Sequence, residues 1–191
     1  MNDIPALKAA LRRKMRGRLA DLPMKNPEAS AALRDRFMTS VPLPDRAVIA
    51  GYIAQGYEID PLPLMRALEE KGHTLALPVI GAKDAPLTFR RWSTGDELVL
   101  HATLSVSEPI AVAEELEPDI LLTPLLAFDL SGHRLGRGAG YFDRTLTALR
   151  KRRTILAVGL AFASQQLSAI PYDKHDAKLD KIVTEIQAHT I

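Results

Sequence analysis

The segment Phe128-Asp129-Leu130-Ser131-Gly132-His133-Arg134-Leu135-Gly136-Arg137-Gly138-Ala139-Gly140-Tyr141-Phe142-Asp143-Arg144 carries more structural information than any other part of the chain. Gly136, Gly138 and Gly140 alternate with Arg137 and Ala139, directly after a long apolar run and directly before a helix-like segment. Glycine removes the side chains that would block a close approach and tolerates positive φ, so successive N–H groups can converge on phosphate oxygens. A helix starting at Tyr141 adds its positive N-terminal end. Arg134 and Arg137 supply cationic forks, and Asp143 is an oxygen ligand of the kind magnesium takes. The segment therefore reads as strand, phosphate-binding loop, helix. Tight turns use the same glycines, and neither the Gly-Lys-Ser/Thr of a P-loop nor the spacing G-x-G-x-x-G is present. Its place between strand and helix, lined by arginines, favours phosphate.

Strands and helices alternate outward from this loop. Ala6 to Leu22 has helical spacing, with a stripe of Leu7, Leu11, Met15, Leu19 and Leu22, a cap at Asp3 and Pro5 in the first turn. Glu28 to Met38 reads as a second helix, Ala47 to Ala54 as a buried strand, Leu62 to Lys71 as an amphipathic helix stopped by Gly72, and Thr74 to Ile80 as the next strand. Phe89 to Trp92 and Thr103 to Val106 are expected as short strands, Ile120 to Ala127 and Thr154 to Phe162 as longer ones flanking a helix at Tyr141 to Arg150, and Ile182 to Glu185 as the last. Such alternation implies an α/β class with right-handed crossovers and a largely parallel sheet covered by helices on both faces. Ligands of such sheets sit at the carboxyl ends of the strands, where the glycine loop falls. No repeat, low-complexity tract or linker divides the chain, so one domain over residues 1–191 is expected.

Composition sets limits. The 191 residues are 47% hydrophobic and 25% charged, with a net charge of +2 and no cysteine. This removes disulfides, thiolate zinc sites and cysteine nucleophiles, and it suits a reducing cytoplasm. The N-terminus leads into charge rather than an apolar h-region, so no secretory leader is expected, and the run Ile120 to Phe128 is too short to span a bilayer. We expect a cytoplasmic monomer with no nucleic-acid or membrane partner. Basic clusters near Lys8 and at Arg150 to Arg153 leave an RNA-binding reading open, but the near-neutral total and the lack of a stacking surface weigh against it. A phosphotransferase acting on another small molecule would show a similar loop.

From the residues alone, Lys8 and Arg12 are two positions on the exposed face of an amphipathic helix. Asp60 can cap the helix that begins near Pro61, whereas Glu58 has no such duty and falls at the same sheet edge as the glycine loop. Asp176 and Asp180 are both suited to capping. No H-E-x-x-H or G-x-S-x-G pattern occurs.

Taken in order, these pieces resemble the 5-formyltetrahydrofolate cyclo-ligase (methenyltetrahydrofolate synthetase) family. The resemblance runs from Lys8-x-x-x-Arg12 through Tyr52, Glu58-Ile59-Asp60, Leu77-Pro78, Glu108-Pro109 and Pro124 to Asp129. It continues through Gly132 to Arg144, Gln165 or Gln166, Pro171 and His175-Asp176. It implies a Rossmann-like three-layer fold and an ATP- and Mg2+-dependent cyclisation of 5-formyltetrahydrofolate to 5,10-methenyltetrahydrofolate, with ADP and phosphate released. By resemblance, Lys8 and Arg12 contact ATP, and Arg134, Leu135, Gly136, Arg137, Gly138, Ala139, Gly140, Tyr141 and Phe142 wrap its phosphates. Ile53 and Glu58 meet the folate, Glu58 at the pterin, with Arg137, Gly138, Ala139, Gly140 and Tyr141 bordering it. Asp143 and Asp176 are the magnesium-associated acids, and Arg134, Arg137 and Asp143 are expected to carry catalysis. The chain departs from the family pattern at Leu125, where many relatives have glycine, at Phe142, where many have a second tyrosine, and at Pro61, where they often have threonine.

Overall fold

Val48 to Ala50, Thr74 to Val79, Ile120 to Thr123 and Leu156 to Ala161 contain no charged residue, as strands buried on both faces require. The computed structural model describes residues 3–191. In chain order its first half holds α1 (Ile4–Leu19), α2 (Leu22–Lys25), α3 (Ala29–Ser40), β1 (Val48–Ala50), α4 (Leu62–Glu70), β2 (Thr74–Val79), β3 (Thr88–Arg91), β4 (Leu98–Leu100) and β5 (Ser107–Pro109). The second half holds β6 (Ile120–Thr123), β7 (Ala127–Phe128), β8 (Arg134–Leu135), α5 (Tyr141–Arg150), β9 (Leu156–Ala161), β10 (Lys181–Thr184) and β11 (Ala188–Thr190). Seven strands form one sheet in the order β11-β10-β9-β6-β1-β2-β3. The five inner strands are parallel and the two edge strands antiparallel.

The period of two along each inner strand divides the core into two layers. Ile49, Leu75, Leu77, Ile120, Leu122, Val158 and Leu160 face α3 and α4, meeting Leu33, Phe37, Leu64 and Leu68. Ala50, Ala76, Leu121, Ala157 and Ala161 face the other way, toward Leu146 and Leu149 of α5. Small residues on the α5 side let that helix lie close to the sheet. Each fully buried leucine or phenylalanine contributes about 1.5–3 kcal/mol.

Several expected elements shift. The first helix stops at Leu19 instead of Leu22, and Pro23 sits in the first turn of the separate α2. The strand expected at Ala47 to Ala54 pairs only over Val48–Ala50, because Tyr52 onward turns into a loop that supplies the cleft described below. Pro124, which lacks an N–H, ends the strand expected to reach Ala127. Thr103 to Val106 is the tip between β4 and β5 rather than a strand. No helix follows Asp176 or Asp180; instead the Asp176 carboxylate accepts from the Asp173 N–H at 2.6 Å. Among the described residues no helix is long and apolar enough to cross a membrane.

The parallel strands run second, first, third, fourth, fifth, so the direction of winding reverses between β1 and β6. Chain leaving the carboxyl ends of these two strands diverges there and opens a crevice.

Candidate active site

Three structures meet at that crevice: α1, the glycine loop and the turn after β1. Helix α1 packs Met15 and Leu19 on Leu126, Ala127, Leu135 and Ile170, beside the β7–β8 hairpin rather than on the main sheet. The buried face continues upward from Leu19 and Met15 through Arg12 to Lys8, while Leu7 is 45% exposed. The stripe expected to begin at Leu7 is thus rotated at its start, and the two cations point inward. The Lys8 ammonium donates to Asp173 at 2.8 Å and also to Asp176. Burial works against its charge, but these two carboxylates outweigh burial and hold its pKa above the ordinary value. Lys8 in turn holds Asp173 below the usual carboxylate range.

The glycine loop is held by its carbonyls. Arg12 Nε donates to the Gly136 carbonyl at 2.9 Å, Arg16 to that of Arg137 at 3.2 Å and Arg144 to that of Ala139 at 2.9 Å. Among the described residues no protein acceptor takes the backbone N–H of Arg137, Gly138, Ala139 or Gly140. Gly138 and Gly140 have φ of 114° and 71°, a region closed to ordinary side chains, and Gly140 caps α5. With carbonyls engaged and amides free, the loop and the first turn of α5 form a nest for an anion.

Beneath it, Arg134 is buried and spans two acceptors, donating Nη1–H to the Ala177 carbonyl at 2.6 Å and Nη2–H to Asp143 at 2.7 Å. Burial lowers its pKa, while Asp143 and Asp176 support the charge. Asp129 is also buried and accepts from the N–H groups of Ser131, His133 and Ile170, with the His133 ring alongside. It ties the hairpin to the segment that carries Asp173 and Asp176.

Across the cleft, Tyr52 donates to the Ile59 carbonyl at 2.9 Å and closes the turn after β1. This turn delivers Glu58, which is 6% exposed. Its carboxylate accepts from the Gln55 N–H at 2.9 Å and lies 3.8 Å from Arg137. Burial raises the Glu58 pKa, opposed by that N–H and by Arg137. Asp60 accepts from the Leu62 N–H at 3.0 Å, the capping contact expected of it.

One cleft of about 680 Å³ joins all of this. Lys8, Arg12, Ile53, Glu58, Arg134, Leu135, Gly136, Arg137, Gly138, Ala139, Gly140, Tyr141, Phe142, Asp143 and Asp176 all line it. So do residues the sequence reading did not single out as site residues: Gln55, Arg144, Asp173, the β4–β5 tip from Leu104 to Val106, and Ser107 and Glu108 of β5. Arg144 stands 5.1 Å over the Tyr141 ring.

For a metal, the described residues offer no cluster of three or more acidic or histidine ligands. Asp143 and Asp176 each commit one oxygen, to Arg134 and Ala177 N–H and to Lys8 and Asp173 N–H respectively. Their other oxygens take no hydrogen bond from any described residue. Magnesium binds through one or two carboxylates together with phosphates, so this pair suits it in company with a nucleotide.

The model of the 5-formyltetrahydrofolate cyclo-ligase family matches residues 5–185. The chain belongs to this family. The 5-formyltetrahydrofolate cyclo-ligase of Escherichia coli (strain K12) is 33% identical over 172 residues, spanning 87% of this chain and 93% of that protein. That of Mycolicibacterium smegmatis is 30% identical over 186 residues, 94% of each. The NMR structure of Aquifex aeolicus 5,10-methenyltetrahydrofolate synthetase superposes with a TM-score of 0.78 at 29% identity, covering 96% of this chain and 92% of that one. The synthetase from Mycoplasma pneumoniae shares the fold, with a TM-score of 0.70 at 21% identity. As a cyclo-ligase the chain is an ATP-dependent enzyme of one-carbon metabolism that converts 5-formyltetrahydrofolate to 5,10-methenyltetrahydrofolate.

Proposed function

We propose that both substrates of the cyclo-ligase reaction meet in this cleft, ATP on the α1 and glycine-loop side and the folate on the Glu58 side. The observation that carries this reading is the glycine loop, whose carbonyls are held by arginines while four successive amides stay free. Lys8, Arg12 and these amides bind the phosphates. Ile53 and Glu58 receive the pterin, the Glu58 carboxylate accepting from its ring N–H groups. Asp143 and Asp176 are the residues to hold Mg2+, which when bound would offset charge on the phosphates.

The formyl oxygen is a poor leaving group. Transfer of the γ-phosphoryl group to it leaves ADP and gives an electrophilic formyl carbon. N10 attacks that carbon, the C–O bond breaks, phosphate departs and the N10 proton is lost to solvent. The protein's part is positioning and charge: Arg137, between the loop and Glu58, stabilises charge on the phosphoryl and formyl oxygens as they change partners. Arg134 holds Asp143 and thereby the start of α5. We propose further that residues 1–191 form one domain acting as a cytoplasmic monomer, without a nucleic-acid partner. The family match over 5–185 supports the single domain, and the net charge of +2 supports the lack of a nucleic-acid partner.

Glu58→Gln tests the folate side. Loss of a charge-assisted hydrogen bond should raise KM for 5-formyltetrahydrofolate roughly ten- to hundredfold, with KM for ATP unchanged. Because burial raises the carboxyl's pKa, kcat/KM for the folate should climb with pH through a value above the ordinary glutamate range, and this limb should vanish in the variant. Stability has the opposite sign. A folded-state pKa above the unfolded one means the contribution is complete below the unfolded value and lost as pH rises through the folded value. At neutral pH the amide variant should melt no lower than the parent. An unchanged KM for the folate, or a weakened hold on ATP instead, would remove Glu58 from the pterin.

A further inference from the structure

Gln55 joins three loops of the cleft. Its side-chain oxygen accepts from Arg137 Nη1 of the glycine loop, and its side-chain nitrogen donates to the Ser105 carbonyl of the β4–β5 tip at 2.7 Å. Its backbone N–H donates to the Glu58 carboxylate at 2.9 Å. The partners are 82 and 50 residues away along the chain, so neither contact is local. Arg137 is half-exposed, with a side-chain exposure of 50%, and Glu58 at 3.8 Å is too far to fix it alone. A long guanidinium with that freedom samples many rotamers unless something holds its fork. Among the described residues the only side-chain hydrogen bond Arg137 makes is the one to Gln55.

We infer that Gln55 is a positioning residue, which aims Arg137 at the folate side of the cleft and ties the β4–β5 tip across its mouth. The inference rests on the role proposed for Arg137. The loop's own backbone does not need Gln55, since Arg12, Arg16 and Arg144 hold its carbonyls. The effect of losing the side chain therefore falls on Arg137 and the folate rather than on the phosphate nest. Removing it also leaves the backbone bond to Glu58 intact, so a change in activity is not a change in the Glu58 turn.

The test is a double-mutant cycle on full-length protein with kcat and both KM values read separately. Gln55→Met keeps the length and removes both polar contacts; Gln55→Ala is the second variant, and melting curves check that each is folded. Either should lower kcat/KM for 5-formyltetrahydrofolate roughly tenfold, the size of one charge-assisted hydrogen bond partly open to water, with KM for ATP little changed. In an Arg137→Ala background the same substitution should cost nothing more. Parental kinetics in both folded Gln55 variants, or losses that multiply in the double variant, would overturn the inference while leaving Arg137 in place. Full activity of Arg137→Ala alone would overturn the role of Arg137 and this one with it.

Discussion

Arg137→Ala should lower kcat by about 10²- to 10³-fold, the cost of removing one preorganised donor from a developing charge. Its guanidinium stands where the nucleotide loop meets the folate side, bonded to Gln55 and 3.8 Å from the buried Glu58, with half of the side chain still open to the cleft. The backbone of Arg137 is held independently through its carbonyl by Arg16. Because the side chain is half exposed, its loss should shift Tm by no more than about 1–2 °C. Arg137→Lys keeps the charge but loses the planar fork, so it should recover only part of the rate. A fully active alanine variant would take Arg137 out of the chemistry.

Lys8→Met should have the largest effect on nucleotide binding. Lys8 is a buried ammonium between Asp173 and Asp176, and the methionine leaves those two carboxylates facing each other with no cation between them. KM for ATP should rise about ten- to hundredfold, as for the loss of a hydrogen bond between charged groups. The fold should suffer too, on the order of 1–2 kcal/mol, between the exposed and fully buried limits for a broken ion pair, or about 2–8 °C in Tm. The pH dependence has a definite sign. Asp173 is held below its ordinary pKa, so its stabilising share is present above the unfolded carboxylate value and lost as pH falls through the folded one. Lys8 is held above its ordinary pKa, so its share is complete below the unfolded lysine value and lost as pH rises through the folded one. The difference in Tm between parent and variant should be full at neutral pH and shrink in acid. Equal melting at every pH would mean the pair contributes nothing.

Much of the fold was legible because its signals are local. Apolar runs without charge marked β2, β6 and β9, and glycines before Tyr141 marked the start of α5. The β7–β8 hairpin was not, since two-residue strands are too short to show alternation, and β11 is only three residues long. The face of α1 was ambiguous for a geometric reason. A stripe through Leu7, Leu11 and Met15 and one through Lys8, Arg12, Met15 and Leu19 both fit a 3.6-residue period, and only packing on Leu126, Leu135 and Ile170 selects the second. The site was read through the glycine loop and the family resemblance. Asp173 and Gln55 escaped that reading because their roles rest on partners up to 165 residues distant. Nothing in their immediate sequence marks them.

The most direct test of the proposed two-substrate cleft is near-ultraviolet absorbance on mixing the purified protein with 5-formyltetrahydrofolate, ATP and magnesium. The methenyl product has an extended amidine chromophore that the substrate lacks. A rise that needs all three components, that is about 10²- to 10³-fold slower in Arg137→Ala at any ATP concentration, and that in Lys8→Met is slowed at low ATP and recovers as ATP is raised, is the expected result. A folded protein that gives no rise, or gives it equally without ATP, would contradict the account.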